Sequence, residues 1–226
     1  MAHAARPRRL PGVSRSAADR REDLVALYRE AKACTRCPLY KTRTQVVFGS
    51  GNADADLMFV GEAPGFHEDQ QGIPFVGRAG QLLNELLAEQ GLAREDVFIA
   101  NVLKSRPPDN RDPQPSEIEA CRPYLEKQVE LIEPKVICTL GNFSTKLLTG
   151  SPQGITRVHG EPQERQMGGR PVTLFPIFHP AAGLRTPAVK QQLREDFTKL
   201  PALLAQPVAE PEPDQIPRAD QLGLFG

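Results

Sequence analysis

Four short stretches hold the residues best suited to chemistry: Gly61-Glu62-Ala63-Pro64-Gly65, Phe75 within Gly72-Ile73-Pro74-Phe75-Val76-Gly77, Asn101, and His179-Pro180-Ala181-Ala182. The Gly/Pro-rich turn can bring backbone N–H groups close to a ligand. Asn101 offers a donor and an acceptor on one rigid amide, which suits the edge of a nucleobase. His179 can donate to, or stabilise charge on, a departing anion. Phe75 offers a flat apolar face for stacking. Each also has a plainer role: a strand-end turn residue for Asn101, a partly buried imidazole for His179, a core ring for Phe75.

A second kind of chemistry is written in the cysteines, Cys34, Cys37, Cys121 and Cys138. Without a secretory signal, disulfides are a poor reading of them. Cys34-Thr35-Arg36-Cys37 is a C-x2-C followed by distant cysteines, the spacing of a metal or iron–sulfur clip; incidental buried thiols are the alternative.

The elements that must position these residues can be read from hydrophobic patterning. Strands are expected over 56–60, 96–100, 135–140 and 172–178, ending at Gly61, Asn101, Gly141 and His179. The first three are short, nearly continuous apolar runs, as in strands buried on both faces. The fourth contains Pro176, which cannot donate to a ladder and points to an edge or a bulge. Helices are expected over 20–33, 79–90, 116–133, 142–148 and 187–204. Gly91 marks the end of the second of them. Ser116 with Glu119 forms a capping box for the third. Alternation of strand and helix predicts an α/β fold, a three-layer α/β/α sandwich with a central, mainly parallel four-stranded sheet. In such sheets ligands bind beyond the carboxyl ends of the strands, which gathers all four chemical stretches on one rim. Composition and spacing stop there, at a small-molecule or base pocket.

The 226 residues suffice for one well-buried core, with 39% hydrophobic and 25% charged residues and no net charge. No apolar run has the length to cross a bilayer, and the Arg-rich start over 1–9 lacks the apolar centre of a secretory signal, so the bacterial cytoplasm is the expected location, a transit peptide being the alternative; a monomer without membrane contact is expected as well. Charge is unevenly spread. Arg6, Arg8, Arg9, Arg15, Arg20 and Arg21 face Asp19 alone near the start, whereas Glu210, Glu212, Asp214 and Asp220 face Arg218 near the end. Three regions follow: a disordered basic arm over 1–19, a catalytic-size domain over 20–205, and a Pro- and acid-rich tail over 206–226.

Val60-Gly61-Glu62-Ala63-Pro64-Gly65, Glu68-Asp69, Gly72-x-Pro74-Phe75-Val76-Gly77-Arg78-Ala79-Gly80, Asn101-Val102-Leu103-Lys104-x-Arg106-Pro107-Pro108 and His179-Pro180-Ala181-Ala182 resemble the family 4 uracil-DNA glycosylases. The likeness runs over residues 33–204 with the motifs in the family's order. It implies a monofunctional enzyme of base excision repair that removes uracil from single- or double-stranded DNA and leaves an abasic site. Phe75 would stack on the extruded base, Asn101 would read its Watson–Crick edge, and His179 would contact O2 and stabilise the uracil anion. Gly61 and Ala63 would contribute backbone contacts. Glu62 ranks first for activating water, then Asp69 and Glu68; the alternative is that these acids order the loop. On the DNA, Leu184 would wedge the base stack, Arg185 would grip phosphate, and Lys104 and Arg106 would add contacts.

The resemblance also implies a [4Fe-4S] cluster with a structural role. Cys34, Cys37 and Cys121 match three of its four cysteines, but Ser105 stands where the fourth belongs. A serine alkoxide is a harder and far more basic ligand than a thiolate. Cys138 could be invoked by spacing, although it falls within an expected buried strand. The outcomes are a Ser105-ligated cluster, a three-cysteine cluster, or none. The segment 105–111 lacks the inserted histidine loop of a related branch that traps abasic DNA covalently, so product release is expected. In the tail, Gln221-Leu222-Gly223-Leu224-Phe225 resembles the peptide that binds the bacterial sliding clamp, with Gln221, Leu222, Leu224 and Phe225 as contacts. The competing functions are a same-fold glycosylase with shifted base preference and a non-catalytic DNA-binding module tethered to the clamp.

Overall fold

A computed structural model of the protein describes residues 16–206. The remainder of the basic arm and the clamp-like peptide lie outside the described residues. The strands are β1 (Ser50–Gly51), β2 (Leu57–Gly61), β3 (Phe98–Asn101), β4 (Val136–Leu140), β5 (Gln163–Met167) and β6 (Arg170–Ile177), in the spatial order β1-β3-β2-β4-β6-β5. The four expected strands form the parallel centre, and β1 and β5 add antiparallel edges, so the sheet has six strands rather than four.

The uninterrupted apolar runs are explained by burial on both faces. Along β2, Leu57 and Phe59 join one core cluster while Met58 and Val60 join the other. Along β4, Val136 and Cys138 separate from Ile137 in the same way. Helices α1 (Ala17–Lys32), α4 (Pro115–Ile132) and α5 (Asn142–Thr149) cover the face of Met58 and Ile137. Helices α3 (Arg78–Glu89), α8 (Pro187–Phe197) and α9 (Leu200–Ala205) cover the other, with Ile155 of the short α6 (Ile155–Val158) packed against the same cluster. Leu82, Leu83, Leu86 and Leu87 of α3 are all within 1% of full burial. Each contributes roughly 1.5–3 kcal/mol relative to an exposed position. The three-layer sandwich is therefore the observed architecture.

Several boundaries differ from expectation for local reasons. Helix α1 begins inside the stretch assigned to the arm, because Ser16 caps it: its hydroxyl accepts the Asp19 amide and the Asp19 carboxylate accepts the Ser16 amide. The capping box of α4 is displaced from Ser116 and Glu119 to Gln114 and Glu117, since Pro115 occupies the first helical position. The long last helix is broken at Thr198 and Lys199; Pro201 has no N–H to donate to the Phe197 carbonyl. Pro176 sits on an inner strand. Its carbonyl faces Gly160, whose amide donates to it at 2.8 Å, on the side where β5 has already ended, so the missing N–H interrupts no ladder.

Candidate functional site

The carboxyl ends of β2, β3, β4 and β6 carry the residues singled out by the sequence, and the structure brings Gly61, Phe75, Asn101 and His179 together. Gly61 pairs with Asn101 in the sheet register. A side chain at Gly61 would place its Cβ 2.4 Å from Asn101 Oδ1 and 2.9 Å from Phe75 Cζ. The absence of a side chain there is what lets the amide and the aromatic ring share one space. The Phe75 and His179 rings stack in turn, with centroids 5.5 Å apart and planes 27° apart.

Phe75 is held from both sides in a conformation that costs energy. Its φ is +52°, in the left-handed region that bulky residues avoid. The Arg94 guanidinium donates to the carbonyl oxygens of Pro74 at 2.5 Å and Phe75 at 3.2 Å. The Glu68 carboxylate accepts the amides of Val76 at 3.0 Å and Gly77 at 3.1 Å. Gly80 lets α3 run beneath this loop; a Cβ on it would lie 1.8 Å from the Phe75 carbonyl oxygen. Glu68 therefore orders the loop. Arg94 was not anticipated, and nothing in its sequence neighbourhood signals the role.

His179 caps the short helix α7 (Pro180–Gly183), its Nδ1 accepting the Ala181 amide at 3.1 Å. A ring nitrogen that accepts carries no proton, so the neutral imidazole bears its hydrogen on Nε2 and is a donor there. Burial, helped by the nearby Arg185 charge and opposed by Glu68, lowers its pKa to about 4. The ring is thus neutral at pH 7. Gly141, with φ +89°, passes close behind it; a Cβ there would meet His179 Cβ at 3.0 Å. On the far side, His159 packs on Phe178 with centroids 4.5 Å apart and bonds Asp196 at 2.8 Å, fixing the end of β6.

Among the acids, Glu62 is half-buried beside the pocket, and its carboxyl is pushed up by burial and then by Asp112. Asp69 is only 3% exposed and accepts the Thr44 amide through both oxygens, at 3.0 and 3.1 Å. Its carboxylate is thereby committed to the loop over 42–46 rather than to a water in the pocket.

The residues expected on DNA divide. Leu184 and Arg185 are exposed on the loop after α7. Arg106 is half-buried, with its Nε donating to Asn110 Oδ1 at 2.7 Å and its guanidinium 5.3 Å from the Phe66 ring centre. Lys104 faces inward. It is 2% exposed, and Nζ donates to the Asn101 carbonyl at 2.7 Å and to Gln128 Oε1 at 2.6 Å. Burial, partly offset by Cys121, lowers its pKa to about 7. A phosphate contact is closed to it; it braces the main chain of Asn101 instead.

The cysteines divide as well. Cys121 belongs to the core cluster against which Cys34 and Cys37 pack. Burial raises the Cys121 thiol pKa; the Lys104 amide opposes this, and Cys37 and Cys34 add to it. At Cys34, burial pushes the thiol up, but hydrogen bonds to Tyr124 and Arg36 outweigh it and the pKa falls below the ordinary value. Ser105 is buried, and its hydroxyl accepts from Arg43, whose charge also acts on Cys37. Cys138 belongs to the other core cluster, across the sheet, with Asp196 acting on its thiol. It cannot supply a fourth ligand to that corner. Among the described residues, no group of three or more Cys, His, Asp or Glu side chains is placed to hold a metal ion. Cys34 and Cys37 both act on the Cys121 thiol, and Ser105 meets Arg43, the cation that also acts on Cys37, so these side chains lie at one corner of the fold.

The sequence model of the Uracil DNA glycosylase superfamily matches residues 48–200. The chain is 47% identical over 183 residues to the type-4 uracil-DNA glycosylase of Archaeoglobus fulgidus, covering 79% of this chain and 92% of that protein. A type-4 uracil-DNA glycosylase of Thermotoga maritima is 47% identical over 183 residues, covering 79% of this chain and 94% of the relative. That of Saccharolobus solfataricus is 46% identical over 192 residues, covering 82% and 88%.

Proposed function

The chain belongs to the uracil DNA glycosylase superfamily, and from that premise we propose that it removes uracil from DNA by hydrolysing the N-glycosidic bond. The observation that carries this reading is the meeting of Asn101, Phe75 and a neutral, Nε2-protonated His179 around the side-chain-free Gly61.

The target nucleotide leaves the base stack to reach such a pocket. Its base lies against Phe75 while Asn101 accepts from N3–H and donates to O4. As the C1′–N1 bond breaks, its electron pair passes to N1 and is delocalised onto O2, where His179 Nε2–H donates to the developing charge. Fixed donors of this kind contribute several kcal/mol because they need no reorganisation. Water adds to C1′, and the proton it loses goes to Glu62. The products are uracil and an abasic site, and the short segment over 105–111 leaves them free to depart without a covalent adduct. On the strand, Leu184 and Arg185 act as wedge and phosphate contact.

Cys34, Cys37 and Cys121, with Ser105 as fourth ligand, would hold a [4Fe-4S] cluster, which ties α4 and the segment before β1 together and supplies no chemistry to the bond cleavage. The tail adds a tether: Gln221, Leu222, Leu224 and Phe225 engage a bacterial sliding clamp, and removal of residues 220–226 abolishes clamp capture without changing activity on free oligonucleotides.

The test is base release from single- and double-stranded oligonucleotides carrying one uracil, hypoxanthine or thymine, followed by mass spectrometry of the free base. Release of uracil alone supports the proposal. Faster release of either other base would replace it with a shifted preference, and no release would leave a binding module.

A further inference from the structure

Of the six large hydrophobic residues exposed among the described residues, three (Phe66, Ile73 and Leu184) lie on segments that border the pocket, and Phe66 is the most exposed of the six at 53%. Phe66 directly follows the Gly61–Gly65 turn and opens helix α2 (Phe66–Gln71). Its ring meets that of His67 edge-on, with centroids 5.5 Å apart, and His67 lies against Gly77 of the Phe75 loop. The platform is thus continuous with the pocket wall.

Arg106 covers this ring as a cation–π partner, 5.3 Å from its centre. The guanidinium is not loosely placed. Its Nε donates to Asn110 Oδ1, and Asp109 and Asn110 both adopt positive φ, +55° and +53°, to bring that amide round. Beyond them Arg111 forms a two-bond pair with the buried Glu117, at 2.9 and 2.6 Å, which anchors the segment to α4. Asp and Asn tolerate the left-handed region better than other non-glycine residues, and here that turn brings the Asn110 amide to the Arg106 guanidinium beside the exposed ring. A solvent-exposed aromatic backed by arginine is the arrangement on which nucleobases stack without sequence preference.

We propose that Phe66, held against Arg106, is a stacking site for the unpaired base flanking the flipped nucleotide. The inference rests on the reading of the substrate as DNA and extends it: one base enters the pocket while its neighbour is held on the rim. The site favours single strands and melted positions, where that neighbour is free to unstack.

Binding can be separated from chemistry. Fluorescence anisotropy with a labelled single-stranded oligonucleotide carrying a central tetrahydrofuran abasic analogue contains no uracil and reads affinity alone. Phe66→Ala is expected to weaken Kd about tenfold and Phe66→Trp to restore it to within about twofold. 2-Aminopurine on one side of the abasic position should be quenched by the wild type and not by Phe66→Ala. When both flanking nucleotides also lack bases, wild type and Phe66→Ala should bind alike. Unchanged affinity in Phe66→Ala, or a loss that persists without flanking bases, would overturn the proposal. Uracil release by the wild type is scored separately: a protein that shows the stacking signature and releases no uracil contradicts the proposed reaction, not the platform.

Discussion

Arg94 donates to the Phe75 carbonyl at 3.2 Å, and the same guanidinium takes the Pro74 carbonyl, so the ring that faces the base is held through its backbone by a residue two elements away. Phe75 keeps its positive φ because both carbonyls and both following amides are engaged, by Arg94 and Glu68 respectively.

Arg94→Met should therefore release the loop. A left-handed non-glycine residue stores on the order of 1–3 kcal/mol, which relaxation returns at the expense of the pocket. The expected result is a loss of about 10- to 100-fold in kcat/KM for uracil release with a change in Tm of only a few degrees. Steady-state kinetics beside a thermal melt check it.

Gly61→Ala should fold and fail. The added Cβ would meet Asn101 Oδ1 at 2.4 Å and Phe75 Cζ at 2.9 Å, so the amide is driven out of the position it holds beside the ring. Circular dichroism should be unchanged while uracil release falls at least about 100-fold. Crystallography of the variant should show the amide displaced.

His179 links the pocket to acid stability. Its folded pKa of about 4 lies below the ordinary value of 6.5, so between these values the unfolded chain binds more protons than the folded one. Stability then rises as pH increases through this window and falls as pH drops through it. Allowing for partial exposure of the residue, the contribution is on the order of 2 kcal/mol. His179→Gln, which cannot titrate, should lose less stability than the wild type between pH 6.5 and pH 4.5 in urea melts. Uracil release by the wild type should show no inflection near pH 6.5, because the free-histidine titration is absent.

Lys104 is turned to the interior, where its Nζ holds the Asn101 carbonyl. Lys104→Met leaves the Asn101 carbonyl and Gln128 Oε1 without their donor, at a cost of roughly 1–3 kcal/mol. The salt dependence of DNA binding should keep its slope, whereas loss of a phosphate contact would reduce the slope by about one. Uracil release should weaken through Asn101.

Much of this was legible in the sequence, and the reasons are particular. Three of the four parallel strands announced themselves because burial on both faces leaves a nearly continuous apolar run, and the carboxyl ends of the four located Gly61, Asn101 and His179 without any side-chain detail. The hairpin of β5 and β6 was missed although Gly168-Gly169 is a strong two-residue turn signal, both glycines having positive φ; Gln163–Met167 alternates half-buried and exposed positions and carries little hydrophobic signature. Long-range polar partnerships were invisible. Arg94 reaches back 19 and 20 residues to its acceptors, and nothing in the spacing told the inward Lys104 from the half-exposed Arg106. Cys138 shows the opposite case, where the strand assignment already argued against a ligand and the sheet placed it in the other layer.

Whether Asn101 and His179 drive uracil release is measured by single-turnover excision from a uracil-containing oligonucleotide, followed by alkali and separation of the strands. The wild type should convert the substrate to an alkali-labile product, and Asn101→Ala and His179→Ala, with unchanged circular dichroism, should each slow this by about 100-fold or more. A wild type that yields no alkali-labile site, or an Asn101→Ala variant as fast as the wild type, would mean that this pocket does not excise uracil.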